Sequence, residues 1–417
     1  MSFQQGLSGL SASSKQLDVI GNNIANTSTA GFKASRTQFA DVYANSLYSG
    51  GTALAGAGTL VSTVAQQFTQ GNITTTNNPL DVAINGGGFF VLQNGNFTRN
   101  GQFQTDAFGY LTDANGTKVM GLGTGGGLSE LQISFESLSP VATSNLSMSV
   151  NLNSTLPALD PADFYPGDST TYNSSTPVSV YDEAGNQHTL RLFFVKDSAD
   201  ANGLTWQVYS TLVNSAGETV NLDGSAVTAP PPAIAPLGAM TFNSDGTLAT
   251  SPFATLTVTT AALGTGAGDI VIDPVSFSGT TLYGSGFRVY SATQNGYAPG
   301  DLIGVSISQD GYLQGRYSNG YTKDFGQIAL VNFNNPQGLT PVGNNQWTKT
   351  RESGDPSLPG APGTGTLGQL KPSAVEESNV DLTAELVNLI VAQRVYQANA
   401  QTVTAQSNIL QTLVNIR

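Results

Sequence analysis

Near the start of the chain, Phe3, Leu7, Leu10, Ser14, Leu17, Gly21 and Ile24 recur with alternating spacings of four and three. The same alternation returns at the far end through Leu382, Leu386, Leu389, Gln393, Tyr396, Ala400, Val403, Ser407, Leu410 and Val414. A seam of that period belongs to a helix packed against another helix. The spacing therefore predicts a helix at each end, with Ser14 and Gly21 as the small members that allow close approach. The second helix would be about 50 Å long. Asn379 or Asp381 is its expected N-cap, and Glu385 lies in its first turns. Between the ends the period falls to two. Turn pairs recur at Asn85-Gly86, Asn94-Gly95, Asn100-Gly101, Asn115-Gly116, Asp245-Gly246, Asp310-Gly311 and Asn319-Gly320. Flanking runs such as Phe89-Phe90-Val91-Leu92 and Leu190-Arg191-Leu192-Phe193-Phe194-Val195 predict strands and hairpins. Gly109-Tyr110-Leu111 ahead of Asn115-Gly116 is echoed by Gly311-Tyr312-Leu313 ahead of Asn319-Gly320, which predicts two similar β-ribbons paired in one domain.

Charge changes the picture next. The net charge is −13, and residues 146–289 hold twelve acidic and three basic residues, so nine of the thirteen lie there. That segment is the expected solvent-facing domain. Residues 1–30 carry only Lys15 and Asp18. The off-seam positions of both ends are Ser, Gln, Asn, Thr and Ala, so those faces can pack against more protein without desolvating charge. One narrow stripe does not hold an isolated helix; the ends need each other and neighbouring copies. A −13 surface argues against nucleic acid and anionic membranes as partners. No apolar run is long enough for a membrane-spanning helix. Met1 to Leu7 lacks the basic and apolar regions of a cleaved secretory signal. Cysteine is absent, which excludes disulfides and thiolate metal sites. Residues 31–70, Gly- and Ser-rich around Ser49 to Gly58, and residues 355–375, with Pro356, Pro359, Pro362 and Pro372, read as linkers. Pro230-Pro231-Pro232 and Pro236 mark a loop in the centre.

Catalytic chemistry finds little to work with. His188 is the single histidine, placed at the edge of a hairpin and a strand, where a structural role is the expectation. Gly121-Leu-Gly123-Thr-Gly125-Gly126 satisfies the spacing of a phosphate loop, but Leu128 to Phe135 alternates as a strand, and a phosphate cradle needs a helix N-terminus there. Asp160, Asp163 and Asp168 lack the spacing of a calcium loop and read as a solvated acidic loop. Aromatics that line sugar clefts are sparse, with Trp206 and Trp347 the only tryptophans. No catalytic residue, cofactor or metal is expected. A self-assembling structural protein explains the paired terminal seams, which serve neither a β-rich adhesin nor a hydrolase.

Two long motifs carry a resemblance. Residues Asn22-Asn23-Ile24-Ala25-Asn26 through Gly31-Phe32-Lys33 resemble the N-terminal signature of the flagellar rod and hook axial family. Residues Asn379-Val380-Asp381-Leu382 through Ala398-Asn399-Ala400 resemble its C-terminal signature. Asn22, Asn23 and Asn26 are read as turning the chain at the helix end, with Gly31 allowing the bend. The stretch Asn85 to Phe90, and those at Gly326–Ala329 and Asn335–Leu339, continue the match. The large insert, and Pro177–Asp182 through His188–Leu190 within it, favour the hook branch over the shorter rod members; a distal rod protein is the alternative. The resemblance implies a mainly β fold with paired terminal coiled-coil helices (1–30 with 376–417), a discontinuous inner β domain (71–145 with 290–354) and an inserted outer β domain (146–289). It implies assembly through Leu7, Leu10, Leu17, Ile24, Leu382, Leu386, Leu389, Tyr396, Val403 and Leu410. It also implies a curved tube between rotary motor and filament, built of copies of the chain. The partners it implies are distal rod and hook–filament junction proteins, the hook cap, and the flagellar type III export apparatus.

Overall fold

The computed structural model describes residues 2–42, 58–123, 126–227, 234–251, 253 and 255–415. They fall into two compact units: Met1–Phe135 with Gly304–Arg316 and Thr322–Arg417, and Glu136–Ile303 with Tyr317–Tyr321. Strands hold more of the described residues than helices do, and the helices Ser2–Ala25 and Leu382–Asn415 pack against each other. Among the described residues no helix is long and apolar enough to cross a membrane.

The first unit is stitched from both ends of the chain. Strand Ile73–Thr75 pairs with Ala374–Glu376, and Val82–Asn85 with Gln369–Pro372. A five-stranded sheet runs in the order Leu330–Val331, Phe89–Val91, Phe97–Thr98, Gln346–Thr348, Thr340–Gly343. Its core gathers Phe89, Phe97, Phe333 and Trp347, with rings set edge to face. The Trp347 indole donates to Gln66 Oε1 at 2.6 Å, satisfying the polar edge of a buried ring. In a second sheet, Thr322–Ile328 lies between Met120–Leu122 and Tyr312–Tyr317. The ribbon that ends at Ile328 thus meets Gly121, in the half of the chain that carries the other ribbon.

Five of the seven turn pairs close tight turns. The amides of Gly95, Gly116, Gly246, Gly311 and Gly320 each donate to the carbonyl three residues back. Asn85-Gly86 instead ends a strand. Gly101 has no turn role; a Cβ there would sit 1.7 Å from the Val82 carbonyl oxygen, so glycine is needed for close strand approach.

Both segments read as linkers hold strands. Ser35–Val42 and Gly58–Gln66 form an antiparallel pair against the N-terminal helix, with a bulge at Gln38/Phe39. Residues 43–57, including most of the Gly- and Ser-rich stretch, lie outside the described residues. In 355–375, Gln369–Pro372 is a strand although it ends in proline, because its partner Val82–Asn85 lies on one side only.

The second unit is two main sheets and the short antiparallel pair Leu256–Val258 with Ile270–Ile272 over one core. The larger runs Ser174–Tyr181, Gln187–Lys196, Thr205–Val213, Gly238–Phe242, Leu248–Thr250, with Thr219–Val220 added to the third strand. The smaller centres on Leu146–Asn153. Alternate residues Leu146, Met148, Val150 and Leu152 face Val178, Val180, Leu190, Leu192, Trp206 and Val208, all buried, the period-two pattern of packed sheets. The unit begins at Glu136, ahead of the expected 146, because Leu138 and Val141 bridge Gly300 and Tyr297 and extend the pairing of Leu146 with Gln294. The loop with Asp160, Asp163 and Asp168 covers the other face of the larger sheet: Phe164 stacks on Tyr209 at 4.1 Å. Asp160 caps the turn Pro161–Asp163, and Asp168 takes the amide and hydroxyl of Thr170.

His188 is buried, with Nε2 3.2 Å from Asp182 Oδ2. Burial raises the Asp182 carboxyl, but hydrogen bonds from Asn186, Thr265 and His188 outweigh it and hold it at about 2. A carboxyl depressed in the folded state stabilises the fold above its unfolded pKa, and that contribution is lost as pH falls through the folded value. Asp182→Asn should therefore remove about 2 kcal/mol of the stability change between about pH 4 and pH 2. Urea unfolding followed by Trp206 fluorescence in a Trp347→Phe background measures it. Identical pH profiles with and without the substitution would refute the assignment.

Candidate assembly surface

The terminal helices run antiparallel: Gly6 lies against Val403, and Gly9 and Ser13 against Asn399. Gly6, Gly9 and Ser13 of the first helix meet Asn399 and Val403 of the second, and Ile20 and Ala392 are buried farther along the two helices. A Cβ on Gly9 would stand 2.9 Å from the Asn399 amide, so the missing side chain sets the helix separation. Ser13 Oγ turns back to the Gly9 carbonyl at 2.7 Å, leaving no unpaired hydroxyl in the seam.

The period read from the sequence is correct for this contact and the phase is not. The face in contact is displaced by one residue from Phe3, Leu7, Leu10, Ser14, Leu17, Gly21 and Ile24, a rotation of about 100°. Phe3, Leu7, Ser14 and Gly21 are exposed, and Leu10, Leu17 and Ile24 half-buried. Nothing lies within 4 Å of a Cβ built on Gly21, so it permits no close approach here. On the second helix Leu389, Tyr396 and Val403 are half-buried along the contact side, while Leu382, Leu386 and Leu410 are exposed. Val387, Ile390, Val391, Val395 and Ile409 are exposed as well. Isolated exposed leucines are ordinary, but exposed apolar residues clustered over Leu382 to Val395 of one helix mark an interaction surface. Leu7 is 53% and Leu386 45% exposed, with few charges around them to keep that face in water.

A buried polar junction fixes the point where these helices leave the β structure. Asn23, 1% exposed, donates from Nδ2 to the Ser35 carbonyl at 2.8 Å and accepts from the Ser35 amide at 2.9 Å. That two-point tie pins the chain reversal after the helix. The amide and side chain of Asn26 both donate to the Asn22 carbonyl, closing the helix end. Ile24 is half-buried, Ala25 exposed, and the Phe32 amide bonds Thr29. Gly31 has φ +71, its amide donates to the Glu376 carbonyl at 2.7 Å, and a Cβ would meet the Asn100 amide nitrogen at 2.6 Å. Gly31→Ala should cost about 2 kcal/mol, from the left-handed backbone and the clash together. Urea unfolding of the monomer tests this; unchanged stability would contradict the close approach.

Two residues on, Lys33 is fully buried. Its Nζ donates to Glu376 Oε1 at 2.6 Å and to the Thr69 carbonyl at 2.7 Å. Glu376 also takes the Gly71 amide at 2.9 Å and Arg99 at 3.4 Å. The Arg99 guanidinium lies over the Phe89 ring and donates to the Gly86 carbonyl at 2.8 Å. Burial pushes Lys33 and Arg99 below their usual ranges, against the opposing pull of Glu376. Asn379 accepts the Ala34 amide at 2.7 Å and donates to the Gln67 carbonyl at 2.7 Å. It is a cross-tie rather than a cap. Asp381 is the cap, accepting the amides of Thr383 and Ala384. Nothing in local sequence marked Glu376 or Arg99 as partners, since they are 277 residues apart. The available signal was the lysine at the end of the first signature, a charge in a segment otherwise short of charge.

Among the described residues no three His, Asp or Glu side chains converge as metal ligands. What the geometry defines is a structural subunit with an apolar helical face for association and a rigid base that aims it. Family models match in four stretches: a flagella basal body rod protein model at 3–33 and a flagellar hook protein FlgE/F/G D1 domain at 83–153. A flagellar basal body protein FlaE D2 domain follows at 151–297, and a flagellar basal body rod FlgEFG protein C-terminal model at 371–416. The flagellar hook protein FlgE of Salmonella typhimurium is 40% identical over 431 residues, covering 100% of both chains. That of Escherichia coli K12 is 39% identical over 435 residues, again with 100% of both covered. That of Rhizobium meliloti is 32% identical, covering 100% of this chain and 98% of its own. A crystal structure of Helicobacter pylori flagellar hook protein FlgE2 shares the fold, with TM-score 0.51, 16% identity, 73% of this chain covered and 100% of that one. The chain belongs to the flagellar hook protein family.

Proposed function

We propose that the chain is the repeating subunit of the flagellar hook, a flexible tube transmitting torque from the basal-body rod to the filament, and that it catalyses no reaction. The observation that carries this reading is the long apolar helical face left uncovered at the terminal helices, in a chain whose relatives are hook proteins over their full length. In the tube the terminal helix pairs form the inner wall and the acidic inserted unit faces solvent. A wall face poor in charge grips a passing chain of neither sign. The distal rod protein and the hook–filament junction protein meet the two ends of the tube, and the hook cap covers the growing end. The subunit leaves the cell through the flagellar export apparatus.

Electron microscopy of the purified chain under polymerising conditions tests the reading. The intact chain should form tubes, and a variant lacking residues 1–25 should remain monomeric. Tubes from the shortened chain would overturn it.

A further inference from the structure

The buried cluster at the helix base has an unusual composition: two cations, Lys33 and Arg99, around one anion, Glu376. Glu376 is the coulombic partner of both. The cations come from the N-terminal part of the chain. The anion comes from strand Ala374–Glu376, six residues ahead of the C-terminal helix at Leu382. Ties on either side are also contributed by the late segment: Glu376 O takes the Gly31 amide and Asn379 Oδ1 takes the Ala34 amide. Until that segment docks, residues 31–34 lack these partners, and two cations face a site with backbone carbonyls and an aromatic ring but no counter-charge. Removing one partner of a buried ion pair is far more disruptive than replacing the pair with neutral groups.

We propose that Glu376 is an assembly latch: its seating between Lys33 and Arg99 is the step that fixes both terminal helices to the β structure, so a subunit presents its assembling face only once its C-terminal segment has docked. The latch itself stands on monomer geometry; its control of assembly rests on the polymerisation reading above.

Hydrogen exchange on the full-length monomer tests the latch, and tube growth by light scattering tests its consequence. In Glu376→Gln, exchange at residues 31–34 and 67–71 should rise about 100-fold or more, while strands Gln187–Lys196 and Thr205–Val213 keep wild-type protection. Tube growth should slow in parallel. In Lys33→Met with Glu376→Gln, which removes the uncompensated cation, protection should recover about tenfold over the single variant, the coupling expected of direct partners. Exchange within about threefold of wild type in Glu376→Gln, or a double variant no better than the single, would overturn the latch. Loosened exchange with undiminished tube growth would overturn its control of assembly. Should Glu376→Gln not fold, Glu376→Asp, one methylene shorter, should loosen the same segments, and full protection there would be decisive against the idea. A wild-type chain that never forms tubes would sink the subunit reading and leave the exchange data to decide the latch.

Discussion

Leu7→Asp combined with Leu386→Asp should abolish polymerisation while leaving the monomer folded. Both side chains are about half exposed in the protomer, so charging them disturbs little there. In a polymer that covers this face, two unpaired carboxylates per subunit lose their water, and each buried charge costs several kcal/mol. A loss of about 3 kcal/mol per contact raises the concentration needed for growth by more than about 100-fold. Sedimentation of the polymerised fraction against total concentration measures this, with circular dichroism confirming an unchanged fold. Tubes at wild-type concentration would show that the stripe is not the assembling face.

The second large effect concerns two glycines on the same helix. Gly9→Leu should destabilise docking of the helix pair by about 3 kcal/mol, since the new side chain has to enter space held by Asn399. Gly21→Leu should leave the monomer as stable as before or slightly more so, because the space around Gly21 is open and leucine is the better helix former. Urea unfolding of both variants, followed by helical signal, separates the two sites. The reverse order would mean that the sequence-derived phase, and not the observed one, describes the contact between the helices.

That pair of glycines also shows what sequence alone could deliver. The four-three alternation is a property of helix geometry, so the existence of two helices and the period of their packing are legible from a count of leucines. The phase is not. Close approach is decided by Gly6 and Gly9, which add nothing to a hydrophobic stripe, while Leu7 and Leu386 satisfy the same period facing away from the partner helix. Period-two runs located the strands of the inserted unit, where Leu190 and Leu192 alternate into a shared core. The same reading missed the strands Gln369–Pro372 and Ser35–Val42. Each has proline-rich or Gly- and Ser-rich neighbours, and each is held by a partner that local composition does not reveal. The signature asparagines announced a turn at Asn22, Asn23 and Asn26 and a helix cap at Asn379. Their actual work is longer in range: Asn23 ties to Ser35, and Asn379 reaches Gln67. Glu376 and Arg99 were illegible for a related reason. A buried charge is explained only by its partner, and the partner here arrives from the opposite end of the chain.

All of this turns on uncharged, apolar helix faces that a lone protomer leaves wet. Hydroxyl-radical footprinting of the same preparation as monomer and as tubes reads those faces directly. The account predicts that Phe3, Leu7, Leu382, Leu386 and Leu410 react readily in the monomer and are shielded in the tube, while Val271 and Tyr283 of the acidic unit react alike in both. Equal reactivity of the helix residues in the two states would contradict it.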